Sequence, residues 1–232
     1  MMSVAPMITP QIISMNKKPR LNVVISLDDC HVSDLRASKL LHKHGFKGIF
    51  YMPSSQVRNT ILLSLKEVKE GIISLGHELG GHTVSHPMDL KLVTDDAKLK
   101  FEIENNQMLC EMLMKSPVKK FCYPRGRHDE RVRKAVKDAG FLEARTTQVL
   151  KIRNDSGDPF QTPTTVHMFQ REEYDGIHWF EIAKTYFDEA LEASKNEDGI
   201  FFSLWGHSNE LDRQNDWEKF EELLLYIKSK WN

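Results

Sequence analysis

The chain has 232 residues, 40% of them hydrophobic and 28% charged, which is enough to bury one sizeable core. Its 32 Lys and Arg nearly cancel 33 Asp and Glu, which argues against a nucleic-acid-binding surface, a polybasic membrane patch or a strongly anionic substrate. Cys30, Cys110 and Cys122 are too few and too scattered for a disulfide framework, so reduced thiols are expected, and no stretch is apolar for long enough to cross a bilayer.

Residues 1–20 read as an irregular N-terminal arm, because Pro6 and Pro10 interrupt its apolar segment. The basic residues Lys17, Lys18 and Arg20 follow that segment instead of preceding it, so a secretory signal is not indicated and a cytoplasmic location is expected. LNVVISL (21–27) is apolar and β-branched, as a buried strand requires. Residues 34–45 form a helix with Leu35, Leu40 and Leu41 on one face and Gly45 as its stop. FKGIFYM (46–52) is a second strand, 59–76 a Leu/Ile-rich helix, and HELGGHT (77–83) a third strand. A long helix over 94–114 is opened by Thr94 as N-cap, with Asp95 and Asp96 in its first turn.

KKFCY (119–123) returns as a strand and 129–140 as a helix ending at Gly140. Two extended segments, 144–150 and 162–169, flank a loop; then come a helix over 175–194, the apolar strand IFFSLW (200–205) and a closing amphipathic helix over 216–231. Alternating strands and helices imply a parallel sheet covered by helices, and six or seven strands fit an irregular barrel better than an open sheet. With no internal repeat and no linker, 21–232 is expected to form a single domain.

Active sites of such folds gather on the loops after the strands. Four stretches stand there. Asp28 and Asp29 follow the first strand, and two adjacent carboxylates repel unless they are solvated or share a cation. In HTVSHP, His82 and His86 are four apart; Pro87 disfavours helix at His86, so a turn is expected to bring them together. Two neutral imidazoles and a carboxylate suit Zn²⁺ or a similar first-row ion, although an HxxxH pair alone also arises by chance. YPRG (123–126) is either a shaped loop able to present a backbone N–H or a plain turn before a helix. His207, past the last strand, is either a proton donor and acceptor or an ordinary surface histidine.

Taken in order, SLDDC, HTVSHP, YPRG and SLWGH resemble the motifs of the polysaccharide deacetylase (NodB-type) family, carbohydrate esterase family 4. The resemblance runs from about residue 21 to 212 and implies an α/β fold, a distorted (β/α) barrel of about seven parallel strands. It implies one divalent metal ion, zinc first, with Co, Ni, Mn or Fe as alternatives, held by Asp29, His82 and His86. Asp28 becomes the general base, His207 the general acid, Ser85 a shaper of the HTVSHP turn, and Arg125 the donor of a backbone N–H to the oxyanion. The implied activity is hydrolysis of an acetamido group on an N-acetylated amino sugar or polysaccharide. Alternatives are the same chemistry on a small amide or cyclic ureide, and a non-catalytic glycan-binding relative.

Tyr123, Trp179 and Trp205 are candidates to stack on sugar faces, with buried packing as the competing reading for at least two of them. Three departures stand out. Cys30 replaces the glycine of the Asp-Asp motif, and Cys122 replaces an arginine that pairs with the base, leaving Arg125, Arg127 and Arg145 as substitutes. The family's Asp-Trp motif has only Asp175 and Trp179 as weak counterparts. Cys30 and Cys122, both at strand ends, raise the minor alternative of a bridge or extra metal ligation.

Overall fold

A computed structural model describes residues 21–55 and 62–231; the expected arm over 1–20 and the first residues of the expected second helix lie outside them. The strands are β1 (Asn22–Asp28), β2 (Gly48–Met52), β3 (Glu78–Gly81), β4 (Lys120–Cys122), β5 (Glu143–Arg145), β6 (Val166–His167) and β7 (Phe201–Gly206). They form one sheet in the order β5-β4-β3-β2-β1-β7-β6, with every pair parallel. The sheet curls toward a barrel that β5 and β6 do not close by pairing. Between them the chain bridges the gap: the Thr162 N–H donates to the Ala144 carbonyl and the Thr165 N–H to the Ser203 carbonyl. The expected distorted barrel of seven parallel strands is what forms.

The helices are α1 (Asp34–His44), α2 (Leu65–Gly71), α3 (Asp96–Met114), α4 (Glu130–Asp138), α5 (Trp179–Ala193), α6 (Ser208–Gln214) and α7 (Trp217–Trp231). Alternation along β1 sends Ile25 and Leu27 into the large core beneath the helices and Val24 into a small cluster with Ile49, Tyr51 and Cys122 inside the curl. Gly80 is needed for that interior, because a Cβ there would lie 2.3 Å from the Tyr51 ring.

Several expected elements are corrected. Of the helix expected over 59–76, the described residues form α2 and a 3₁₀ turn, and Ser64 and Glu67 build the capping box that opens α2. The N-cap of α3 is Asp95, not Thr94: its carboxylate accepts from the N–H groups of Ala97 and Lys98. The extended segments 144–150 and 162–169 contribute only two strand residues each, Ala144 and Arg145 to β5 and Val166 and His167 to β6. α6 was not anticipated; it begins directly after His207.

Candidate active site

Parallel strands place their following residues at one end, and the four motif stretches meet there. Asp28 is the last residue of β1 and is 3% exposed. Asp29 and Cys30 turn the chain away with φ of 74° and 54°, a left-handed pair that non-glycine residues adopt at a cost of about 1–2 kcal/mol each. The glycine expected at Cys30 would meet that requirement without strain. Cys30 instead fills a buried site, and all three cysteines are free thiols, so the Cys30–Cys122 bridge does not form.

The HTVSHP stretch is a turn, as Pro87 suggested, with left-handed φ at Thr83 and His86. Its shape is held by α3. The Ser85 N–H and hydroxyl both donate to Glu102, at 2.8 and 2.6 Å. Asn106 accepts from the His82 N–H at 2.7 Å and donates to the Met52 carbonyl and the Ser54 hydroxyl, both at 2.8 Å. His82 Nδ1 donates to the Cys122 carbonyl at 2.8 Å, which orients the ring with Nε2 facing the site.

There, His82 Nε2 and His86 Nε2 lie 3.4 and 3.5 Å from Asp29 Oδ1. That oxygen is buried without a hydrogen-bond partner, and the three ligand atoms lie within 4.8 Å of one another. An orphaned carboxylate oxygen facing two imidazoles is the arrangement a divalent cation satisfies, so Asp29, His82 and His86 fit a metal ion. Burial alone would raise the Asp29 carboxyl, but His82, His207 and His86 outweigh it and hold the group well below the usual carboxylate range.

Arg145, at the end of β5, is the arginine that reaches the Asp28 carboxylate. Its Nη2 donates to both oxygens, at 2.6 Å for Oδ2, and the guanidinium lies over the Tyr51 and Trp205 rings with its carbon 5.0 and 4.7 Å from their centroids. Despite full burial, which would raise it, the Asp28 carboxyl is lowered by Arg145 and then by His82 and His207. Cys122, in the motif position where an arginine was expected, directs its thiol at Asp28 from 3.6 Å.

His207 stands opposite, with Nε2 3.7 Å from Asp29 Oδ2. Its Nδ1 pairs with Glu210 Oε2 at 3.0 Å, and the same oxygen receives the His207 N–H at 3.0 Å and faces His167 Nε2 at 2.9 Å. Burial pulls His207 down, but Glu210 through its hydrogen bond and charge, helped by Asp28 and Asp29, lifts it to about 9.

At Tyr123–Arg127 the chain makes a tight turn in which the N–H groups of Gly126 and Arg127 bond to Tyr123 and Pro124. Arg125 sits at its apex with φ 57° and its N–H takes part in neither bond. The aromatic expectations need correction. Tyr123 is fully buried and donates to the Phe160 carbonyl, and Trp205 is buried between Arg145 and His167, so neither offers a face to a sugar. Trp179 is buried too, donating to Asp216 at 2.8 Å, while Asp175 is an exposed left-handed residue elsewhere; the pair is no Asp-Trp motif. The carboxylate paired with His207 is Glu210.

The sequence model of the polysaccharide deacetylase family matches residues 15–144, more than half of the chain. The chain belongs to the polysaccharide deacetylase family. A curated relative of this chain, the uncharacterized protein YlxY of Bacillus subtilis, is 33% identical over 69 residues, 30% of this chain and 20% of that one. Among solved structures, a family 4 carbohydrate esterase from Streptomyces lividans, in complex with acetate, is 11% identical with a TM-score of 0.58 over 89% of both chains. A Bacillus anthracis protein, described as a pseudoenzyme of that esterase family, is 14% identical with a TM-score of 0.59 over 92% of this chain and 62% of that one. Both likenesses establish the fold. The chain thus spans a fifth of its curated relative and under two thirds of the Bacillus anthracis protein. No described helix is long and apolar enough to cross a membrane.

Proposed function

We propose that the chain hydrolyses the acetamido group of an N-acetylated amino sugar or polysaccharide, with residues 21–232 acting as one catalytic unit. The observation that carries this reading is the orphaned Asp29 oxygen facing His82 and His86, flanked by an arginine-held Asp28 and a charged His207. In this reading Asp29, His82 and His86 hold one divalent ion, zinc first; when bound, it supplies Lewis-acid polarisation of the amide carbonyl and acidifies water.

Asp28, kept ionised by Arg145, accepts the proton of the attacking water. The Arg125 N–H at the apex of its turn steadies the negative charge that develops on the carbonyl oxygen. His207 donates its Nε2 proton to the departing amine, while Glu210 on Nδ1 fixes the ring and compensates its charge. Acetate and a free amino sugar result. A related fold described as a pseudoenzyme makes non-catalytic glycan binding the reading to exclude, and the complete set of carboxylates and histidines favours catalysis.

Acetate release from N-acetylglucosamine oligomers, run beside ammonia and acid release from a cyclic ureide, tests it. Acetate from the oligomers and no ureide opening is expected; ureide opening alone, or no hydrolysis of either by metal-loaded protein, would overturn the reading.

A further inference from the structure

Asp34, the first residue of α1, is 0% exposed, and neither of its carboxyl oxygens has a hydrogen-bond partner. A buried carboxyl without partners is costly, and no step of the proposed hydrolysis uses this one. The polar group that faces it is the Ser208 hydroxyl, equally buried, with no aligned hydrogen bond of its own. Ser208 opens α6 and directly follows His207.

A second link lies beside the first. The hydroxyl of Ser33, the N-cap residue of α1, donates to Asp212 of α6, and Asp212 also accepts from Trp217 Nε1 at 2.8 Å. The start of α1 is thus clasped to α6 at two points. One short loop joins α1 to Asp28 and Asp29, so the clasp sets the corner that carries His207 against the segment that carries both aspartates.

The surroundings decide the protonation state of the clasp. The charged groups that face Asp34 are His207, whose positive charge favours ionisation, and Asp28 and Asp29, which oppose it. The Cys30 thiol beside it stays neutral, because burial and Asp34 both oppose its ionisation. Burial is the strongest influence and pushes the Asp34 carboxyl up to about 8. A protonated carboxyl can donate to the Ser208 oxygen, which a carboxylate cannot.

We propose that Asp34 is a positioning residue for His207: as a neutral carboxylic acid it donates to Ser208 and holds the β7–α6 corner at the distance from Asp29 that proton delivery requires. The catalytic consequence rests on the hydrolase reading above; the clasp itself does not. Keeping the acid neutral costs the folded chain stability, because the unfolded carboxyl ionises freely. Its folded value lies above the ordinary one, so this cost grows as pH rises from the ordinary carboxylate range and is complete above about 8.

Three variants test it. Asp34→Asn keeps the shape and a donor without the acid, Asp34→Leu keeps the bulk without the donor, and Ser208→Ala removes the acceptor. Asp34→Asn should raise Tm by about 5 °C at pH 8 and much less at pH 5, and should keep wild-type kcat for acetate release from N-acetylglucosamine hexamer. Asp34→Leu and Ser208→Ala should each lower kcat about ten-fold with KM unaltered. Wild-type kcat in Asp34→Leu would overturn the proposal, as would a loss in Asp34→Asn as large as in Asp34→Leu. If Asp34→Leu does not fold, Ser208→Ala decides by the same criterion. The side-chain ¹H–¹⁵N resonances of His207, identified by their loss in His207→Asn, separate this from the hydrolase reading. If the wild type releases no acetate but these resonances shift in Asp34→Leu and Ser208→Ala and stay in place in Asp34→Asn, the clasp stands and the hydrolase reading falls. If they stay in place in all three variants, the clasp falls whatever the acetate yield.

Discussion

Asp28 depends on an arginine 117 positions away in the chain, and that dependence is the most exposed part of the site's chemistry. Removing the guanidinium strands a carboxylate that is 3% exposed. Arg145→Leu should therefore lower stability by about 3–5 kcal/mol in urea unfolding and abolish most acetate release, because a desolvated lone carboxylate takes up a proton and stops acting as a base. Arg145→Lys keeps the charge but not the fork, and should fall between. Glu210 makes a second prediction at this scale. His207 must be protonated to act as an acid and stands at about 9, so turnover should fall as pH rises through that value. Glu210→Gln removes the main groups that raise it against burial, so the alkaline fall should move to lower pH in a kcat profile; a limb that stays in place would reject the pairing. The sequence brought Asp29, His82 and His86 forward as candidates because two of them share a short turn and the third directly follows a strand. Arg145 was one of three arginines because only the β4–β5 pairing, which sets Arg145 beside Cys122, decides among them. Glu210 was in plain view three residues after His207, but its meaning needs α6, a seven-residue helix with too little periodicity to notice.

At the scale of elements, turns matter more than helices. The Arg125 apex depends on Gly126, whose φ is +69° and whose position would put a Cβ 2.3 Å from Thr147 Oγ1 and 2.8 Å from the Thr147 backbone nitrogen. Gly126→Ala should displace the turn and lower kcat by about 10–100-fold through misplacement of the oxyanion donor, with far-UV circular dichroism unaltered. Wild-type kcat in this variant would mean the turn serves only to start α4. α3 shows what a helical pattern conceals. Its length was readable, but Glu102 and Asn106, one turn apart on its buried side, support the HTVSHP turn and give no signal distinct from solvated polar residues. The 59–76 run was overextended for the opposite reason: its leucines and isoleucines suggest one continuous helix, whereas the Ser64 capping box dictates where α2 begins.

Across the whole molecule, strand–helix alternation specified a parallel sheet, with a barrel the better fit than an open sheet, and strand ends then placed the four motif stretches at one end of it. What alternation could not specify is the seam, because β5 and β6 are three and two residues long and their neighbours are set by long-range pairing. The inward ends of β1, β4, β5 and β7 bring Asp28, Cys122, Arg145 and Trp205 together inside the curl. The proposed hydrolysis has one requirement, that Asp29, His82 and His86 hold a divalent ion. Acetate release from N-acetylglucosamine hexamer by chelator-stripped protein, followed as Zn²⁺ is added back, tests it most directly. Acetate should be absent from stripped protein and should return to a plateau near about one equivalent of ion, with no return in His82→Ala. Equal acetate release before and after stripping would contradict it.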